Sequence, residues 1–440
     1  MKKIENFIKI IFCVVLFSAC ESFLADDINR DPNNPSVVTL NAVLPSIQIR
    51  HMDVYGGQTS RVNSMFAQQT EGVARQWSSF NDYSGLQPVR FNTVWDIYYE
   101  DILVEVNSMI ADAQEDGYNH YAGIGQIQKA AALLDMTSWW GDIPYSTAAL
   151  GIEEINPTFD AQASIYTEIF NLLGSATSLL NGSDGGFAVG GDDVIYGGNT
   201  SSWIKAANAI KARAHMHLGD YSSALSAARS SFTSRDDNMS YTFGTTQQAG
   251  WWRFNDGRTG DIEFHPTLRA LMTGLNDTDR LAVWDQTFIT SHPYMKPNYE
   301  QAYVSYREMQ FIIAECLSRT NGSSTEMEAA YLKGIEASFD ETGLGNSEYS
   351  SYVSQNAVNP GGASLDLEDH ILTQKYIAMF VQPEVFNDLR RNDFPNLTPT
   401  SGSQLPVRWN YSGDEALFNP NVPVGTTCLL YTSPSPRDRG

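Results

Sequence analysis

The feature that most constrains this chain is a helix pair between Trp203 and Ser231. Apolar residues recur at helical spacing from Trp203 to Leu218 and again from Tyr221 to Ser231, and Gly219-Asp220 between them has turn chemistry. Ala206 and Ala209 on one segment and Ala224 and Ala227 on the other add little bulk, so the two backbones can approach closely. Such a pair buries one stripe of each helix and needs further elements to cover the rest. The chain is therefore expected to be mostly α, built of stacked helix pairs.

The pattern recurs without a strict sequence period. A second pair is expected over Gln301 to Arg319 and Thr325 to Phe339, split by Asn321-Gly322, with Tyr306, Met309, Ile313 and Cys316 as an apolar stripe. Thr325-x-x-Glu328 reads as a capping box. A third helical stretch runs from Asp366 to Phe380 and on through Arg391. Upstream, helices are expected over Leu40–Tyr55, Arg61–Gln76, Val94–Gln114 and Ile124–Ser138, with Asp160 capping a helix that carries Ile165, Ile169 and Leu172 or Leu173. Gly219-Asp220-Tyr221-x-x-Ala224 resembles the turn of a tetratricopeptide-like hairpin.

Three stretches lack helical periodicity: Trp77 to Phe91, Asn181 to Thr200, and an insert from about Tyr241 to Lys296. Long irregular segments in a compact protein are usually functional. Rings flanked by amides and carboxylates, in a largely preformed site, suit capture of a neutral, hydroxyl-bearing ligand. The first stretch supplies Trp77, Phe80, Asn81, Asp82 and Tyr83; the insert supplies Trp251, Trp252 and Asn255, with Asp256 beside them. Trp77, Tyr83, Trp251 and Trp252 lead this set because polar residues and Gly surround them. The alternative role for each ring is to pin its segment to the core. Trp95, Trp140, Trp203 and Trp409 lie in helices or turn motifs and are expected to be structural.

The ends of the chain are read apart from the fold. Lys2 and Lys3 precede an apolar run from Ile10 to Phe17, too short to span a bilayer, so residues 1–19 are expected to be a secretion signal. The run stops at Phe17-Ser18-Ala19-Cys20, which resembles a bacterial lipobox. Lipid on Cys20 would anchor the chain to a membrane surface; the alternative is a plain signal peptide with an incidental cysteine. Cys428-Leu429-Leu430-Tyr431-Thr432-Ser433-Pro434-Ser435-Pro436-Arg437-Asp438 matches the translation of a common sequencing adapter, so residues 428–440 are set aside and the natural C-terminus is expected to be missing. The expected organisation is thus 1–19 signal, 20–39 anchor and lead-in, and 40–427 a single binding domain.

Charge and cysteine usage exclude several function classes. The formal charge is −23 and becomes −26 once both ends, with their excess Lys and Arg, are removed. A domain this acidic is repelled by nucleic acid and anionic lipid, and neutral ligands suit it better. Of the 4 Cys, Cys316 alone lies outside the two ends. An intramolecular disulfide and a Cys-based zinc site are both excluded, and Cys316 is expected to be inert core. His-Glu-x-x-His, Gly-x-Ser-x-Gly and the P-loop are absent from the sequence. His215 and His217 would point about 200° apart on a helix. No metal or cofactor is expected. Asp184, Asp192 and Asp193, like Asp256 and Asp261, lack EF-hand spacing and read as solvated loops. Arg390 and Arg391 are expected to pair with acids such as Asp388 or Asp393.

Several motifs in order resemble the SusD/RagB family of nutrient-binding lipoproteins. They are Asp31-Pro32-Asn33-Asn34-Pro35 with Leu44-Pro45, Trp140-Gly141-Asp142-Ile143-Pro144-Tyr145, and Pro157-Thr158-Phe159-Asp160 with Ile165-Tyr166. Then come Trp203-x-x-x-Ala207-Asn208-x-x-Lys211-x-Arg213, Gln374-Lys375-Tyr376-Ile377-Ala378, Asp388-Leu389-Arg390-Arg391-Asn392-Asp393-Phe394-Pro395, and Pro406-x-Arg408 with Glu415 and Asn419. The resemblance spans about residues 16 to 421. It implies tetratricopeptide-like helix pairs packed against a loop-rich ligand-binding region. It also implies a non-catalytic, outward-facing lipoprotein of the outer membrane that captures glycan, or in some relatives peptide, for a TonB-dependent transporter. A surface glycoside hydrolase is the rival that no motif favours. With 51 acidic residues some carboxylates always lie close together.

Overall fold

The computed structural model describes residues 39–149, 154–286, 292–361, 367–402 and 404–423. The signal segment, Cys20 and its lead-in through residue 38, and the 428–440 tail lie outside the described residues. The first half holds α1 (Leu40–Val54), α2 (Ser60–Phe66), α3 (Arg75–Asn81), α4 (Asn92–Asp96), α5 (Val104–Glu115), α6 (Asn119–Trp140) and α7 (Gln162–Asn181). The middle holds α8 (Thr200–His217), α9 (Tyr221–Arg229), α10 (Gly250–Arg258), α11 (Pro266–Gly274) and α12 (Thr278–Trp284). The last part holds α13 (Tyr306–Arg319), α14 (Ser324–Thr342), α15 (Asn346–Val353), α16 (Leu367–Ala378), α17 (Glu384–Asn392) and α18 (Gly413–Phe418). Three two-stranded antiparallel ladders complete it: β1 (Thr70–Gly72) with β5 (Ile262–Phe264), β2 (Ile143–Pro144) with β3 (Phe159–Asp160), and β4 (Met239–Thr242) with β6 (Glu300–Val304). The expected mostly-α fold of stacked helix pairs is the fold observed.

The stack runs α5–α6–α7–α8–α9, each helix packed on the next, and continues from α9 to α13, which packs on α14 and α16. Local chemistry makes the α8–α9 pair. Asn199 accepts from Ser202 N at the start of α8, Gly219 turns the chain at a φ of 71°, and Asp220 accepts from Ser223 N to start α9. The four tryptophans expected to be structural are buried. Trp409 stacks on Trp139 at 5.0 Å, meets Trp140 edge-on at 5.4 Å, and Trp95 meets Trp140 at 5.1 Å.

Several polar residues of the motif helices form buried ion pairs. Arg213 donates to Glu308 in a fork and to the Tyr303 carbonyl, and His217 lies 2.6 Å from Glu384. Deeper along the stack, Glu315 receives the Arg391 fork, and Asp388 lies 2.8 Å from Lys375 and 2.7 Å from Arg391. Burial alone would raise the Asp388 carboxyl, but Lys375 and Arg391 outweigh it and hold the group at about 2. Arg390 departs from expectation: it donates to the carbonyls of Val407 and Ser138, while Asp393 ends α17 in a left-handed turn. Cys316 is buried core, with its thiol pushed up to about 12 by burial.

Several expected elements are placed differently. The helix expected over Arg61–Gln76 ends at Phe66, because the chain turns into β1 to meet β5. The helix expected from Gln301 begins at Tyr306, capped by Ser305, after strand β6. The capping residue of α14 is Ser323, not Thr325. Asp160 does not cap α7. Its carboxylate accepts from Tyr145 N, Ser146 N and Ser146 Oγ, and Asp142 across the β2–β3 ladder accepts from Gln162 N instead. The third helical stretch breaks between Ala378 and Glu384. The 181–200 segment is non-helical as expected, but Asp193 within it is buried, not solvated. It accepts from Gln48 Nε2 at 2.8 Å, Trp203 Nε1 at 2.7 Å and the backbone N–H groups of Ile195, Tyr196 and Gly198.

Candidate ligand-binding site

The stretch from Trp77 and the insert from Tyr241 are not the irregular loops that their composition suggests. The first begins inside α3, and the second folds into α10, β5, α11 and α12. Ladder β1–β5, with Thr70 opposite Phe264 and Gly72 opposite Ile262, joins them. Because α3 follows β1 and α10 precedes β5, the ladder sets the two helices side by side. Both aromatic segments chosen from the sequence therefore meet in space.

They meet over Arg61 of α2. Its guanidinium carbon lies 4.5 Å from the Phe254 ring centre, 5.6 Å from Trp77 and 5.7 Å from Trp251, a cation–π arrangement. Nη1 donates to the Gly250 carbonyl at 3.1 Å. Burial lowers the guanidinium to about 9, with Asp53 opposing the shift and Arg253 adding to it. Trp251 donates to Ser60 Oγ at 2.8 Å, and Trp77 meets Phe254 edge-on at 5.2 Å. Gly250 is required here, since a Cβ on it would sit 2.7 Å from the Gly57 Cα.

The expected site residues divide into two sets. Trp77 is 6 % exposed, Phe80 3 %, Tyr83 7 %, Trp251 2 % and Asn255 6 %, so none of these rings offers a free face. Phe80 continues from Trp77 at 5.4 Å and passes to Phe91 and on to Trp409, which ties α3 to the central aromatic core. The expectation of open rings fails for these residues because both segments are helical and pack their rings inward on Arg61 and Phe91. Asp82 is exposed, and Asn81 and Trp252 are half-buried. Ser84 N and Oγ both donate to Asp82, and those bonds lower its carboxyl. Arg61 and Phe254 were not singled out from the sequence. Phe254 sits three residues after Trp251, and that spacing would have marked it once α10 was recognised.

Around these rings Arg75, Arg253 and Arg258 are exposed, but Asp53 and Asp261, which pair with two of them, are buried, so Asp261 is not the solvated loop residue expected. Arg253 pairs with Asp53, Arg75 with Asp261, and Arg258 donates to Gln76 at 3.0 Å. Half-buried Trp252 and Phe254 and the exposed Asp256 sit on the same short helix as Arg253. This arrangement offers ring edges and hydroxyl partners on a rigid base. Among the described residues no group of three His, Cys, Asp or Glu side chains converges as a metal site would need, and no helix is long and apolar enough to cross a membrane. The His51–Asp135 pair at 2.9 Å, with Tyr98 and Tyr303 on the same carboxylate, is sealed in the core.

Comparison with known proteins follows the same lines. A sequence model of the SusD-like family, described as starch-binding and associating with the outer membrane, matches residues 32–288 and 279–412. Among curated proteins, none is similar enough in sequence to match. Among solved structures, a SusD/RagB family protein from Bacteroides thetaiotaomicron VPI-5482 is similar with a TM-score of 0.71 at 21% identity, over 88% of this chain and 95% of that one. A chitin-binding protein gives 0.72 at 21%, over 87% and 94%. A SusD homolog from Bacteroides fragilis NCTC 9343 gives 0.70 at 20%, over 87% and 94%.

Proposed function

The chain belongs to the SusD-like family, and on that premise we propose that it is a non-catalytic surface binder of glycan oligomers or polysaccharide. It hands its cargo to a TonB-dependent outer-membrane transporter. Lipid on Cys20 holds it at the outer membrane, facing the cell exterior. The observation that supports the binding role is the meeting of α3 and α10 over Arg61, which buries most of the aromatic rings as a base and leaves Asn81, Asp82 and Trp252 reaching solvent. The resemblance of fold to a chitin-binding protein is in keeping with it. Trp252, Asn81 and Asp82 make the contacts, because they are the expected site residues that reach solvent. Trp77, Phe80, Tyr83, Trp251 and Asn255 hold the platform from beneath.

Affinity electrophoresis of a soluble form starting at Glu21, in gels each carrying one polysaccharide, tests this. Retardation by a neutral glycan, reduced in Trp252→Ala, is the expected result. A folded protein that no glycan retards, but that binds peptides, would move the function to peptide capture. Release of reducing sugar by the pure protein would replace binding with hydrolysis. Exchange of Cys20 for Ser is expected to free the protein from the membrane fraction.

A further inference from the structure

Val381 stands where a chain ordinarily places glycine. It lies in the turn after α16 at a φ of 53°, and Gln382 N returns to the Met379 carbonyl at 3.0 Å. A β-branched residue resists that conformation, because its Cβ crowds the backbone carbonyl. Two side chains hold it there. Gln69 Oε1 accepts from Val381 N at 2.9 Å, while Gln69 Nε2 donates to the Tyr376 carbonyl at 2.7 Å. Ser60 Oγ donates to the Val381 carbonyl. The N–H and the carbonyl of the strained residue are therefore both clamped from the 60–69 segment. Strain persists only where its surroundings over-determine it, and it gathers at ligand clamps and switch regions.

The Ser60 hydroxyl also reaches the candidate site. An indole N–H can only donate and a carbonyl can only accept. The hydroxyl between them is left with one direction: it receives from Trp251 Nε1 at 2.8 Å and gives to Val381. Ser60 and Trp251 are buried, so bulk water does not compete for these bonds. Trp251 lies in the first turn of α10 and precedes Trp252, the ring that reaches solvent. On the other side the turn leads into α17. Glu384 ties that helix to His217 of α8, and Arg390 ties it to the Ser138 carbonyl of α6. Phe380, one residue before Val381, stacks on Trp284 at 5.0 Å and meets Phe264 of β5 at 5.4 Å. One hydroxyl thus joins the aromatic junction to the helical stack through a strained turn.

We propose that Ser60 is a positioning residue for the ligand platform and that Val381 is the strained element it acts on. Releasing the hydroxyl frees α10, and with it Trp252, at the same time as it frees the α16–α17 turn. Ligand held at the platform and the conformation of that turn are then coupled in both directions. This rests on the binding role proposed above.

Hydrogen exchange of the full chain, purified in mild detergent and read by mass spectrometry, tests the coupling without ligand. Trp251→Phe removes the indole N–H and keeps a ring; Ser60→Ala removes the hydroxyl. Both are expected to speed exchange at 379–384 by about fivefold or more, and Ser60→Ala to do so at 250–258 as well, while 200–229 stays at the parental rate. Ser60→Thr keeps the hydroxyl and is expected to restore both segments. Glycine takes the left-handed turn unaided, so adding Ser60→Ala to Val381→Gly is expected to change exchange at 379–384 by less than about twofold. Glycan retardation of the same proteins is expected to fall with Ser60→Ala and to return with Ser60→Thr. Parental exchange at 379–384 in folded Trp251→Phe and Ser60→Ala proteins overturns the coupling, and retardation of those proteins by a glycan leaves the binding role standing. A parent that no glycan retards overturns the binding role and the positioning role with it, whatever the exchange shows.

Discussion

Arg213 meets Glu308 fork to fork, with Nε 2.8 Å from one carboxylate oxygen and Nη2 2.6 Å from the other, and both side chains are buried. The pair joins α8 to the first turn of α13, so it spans the two halves of the helical stack. Removing one partner leaves a charge stranded in the core, and breaking such a pair costs about 3–5 kcal/mol. Arg213→Met is therefore expected to lower the urea unfolding free energy by about that amount. Arg213→Lys is expected to recover only part of it, since an ammonium cannot fill the fork. A change below about 1 kcal/mol would show that the pair adds nothing beyond its surroundings.

Trp251 and Trp252 are neighbours in sequence with different exposure, Trp251 buried and Trp252 half-buried. Trp251→Ala empties a buried, hydrogen-bonded position and is expected to cost about 3–5 kcal/mol of stability. Trp252→Ala is expected to leave the melting temperature within a few degrees of the parent and to weaken glycan retardation at least tenfold. Thermal unfolding and affinity electrophoresis on the two proteins side by side give the answer. Equal loss of binding at unchanged stability in Trp251→Ala would move the contact surface inward.

His265 caps α11 by accepting from Thr267 N at 3.0 Å, and burial, with Arg269 nearby, lowers its imidazole to about 4. The unfolded chain protonates near the ordinary value of 6.5. Between those two values the unfolded state binds the extra proton, so stability is full above about pH 6.5 and is lost as pH falls toward 4. His292, lowered to about 4 by burial, acts in the same direction. His265→Asn keeps a capping acceptor but cannot titrate. It is expected to flatten the fall in unfolding free energy across that window by up to about 3 kcal/mol. An unchanged slope would assign the acid sensitivity elsewhere.

Asp388 acts at lower pH. Lys375 and Arg391 hold it near 2 against the ordinary 3.8. Its contribution is present above about 3.8 and is lost as pH falls toward 2. Asp388→Asn is expected to destabilise the protein at pH 7 and to reduce the additional loss between pH 4 and 2, both read from denaturant titrations.

Asp193 gathers Gln48, Trp203 and three backbone N–H groups around one carboxylate. Asp193→Ala removes the acceptor of those donors and is expected to cost at least about 3 kcal/mol, each donor that finds no other partner contributing about 1–3. Limited proteolysis is expected to cut the variant between Asn181 and Thr200 sooner than the parent. Equal cleavage rates would mean that the segment is held by its other contacts.

The sequence made the helix pairs legible where their signals are local. Gly219 and Asp220 turn and cap within a few residues, and the apolar stripes on either side have one clear period. Strand β1 was not legible, because three residues become a strand only through Phe264 and its neighbours, far along the chain. Strand β6 was absorbed into a helix although Ser305 carries the capping signal that separates them. The two aromatic segments named from the sequence do meet in the fold. Their burial was not legible, because it is imposed by Arg61 from a third helix. Asp193 was misjudged for a related reason: a Gly- and Asp-rich stretch looks solvated until a distant indole and amide are found against it.

The β1–β5 ladder also imposes an order of assembly. Thr70 leaves the ribosome long before its partner Phe264 exists, and contacts between remote segments close slowly. Until they close, Trp77 and Phe80 lack the insert half of their packing. The junction that is rigid when folded is thus a sticky surface while the chain is being made.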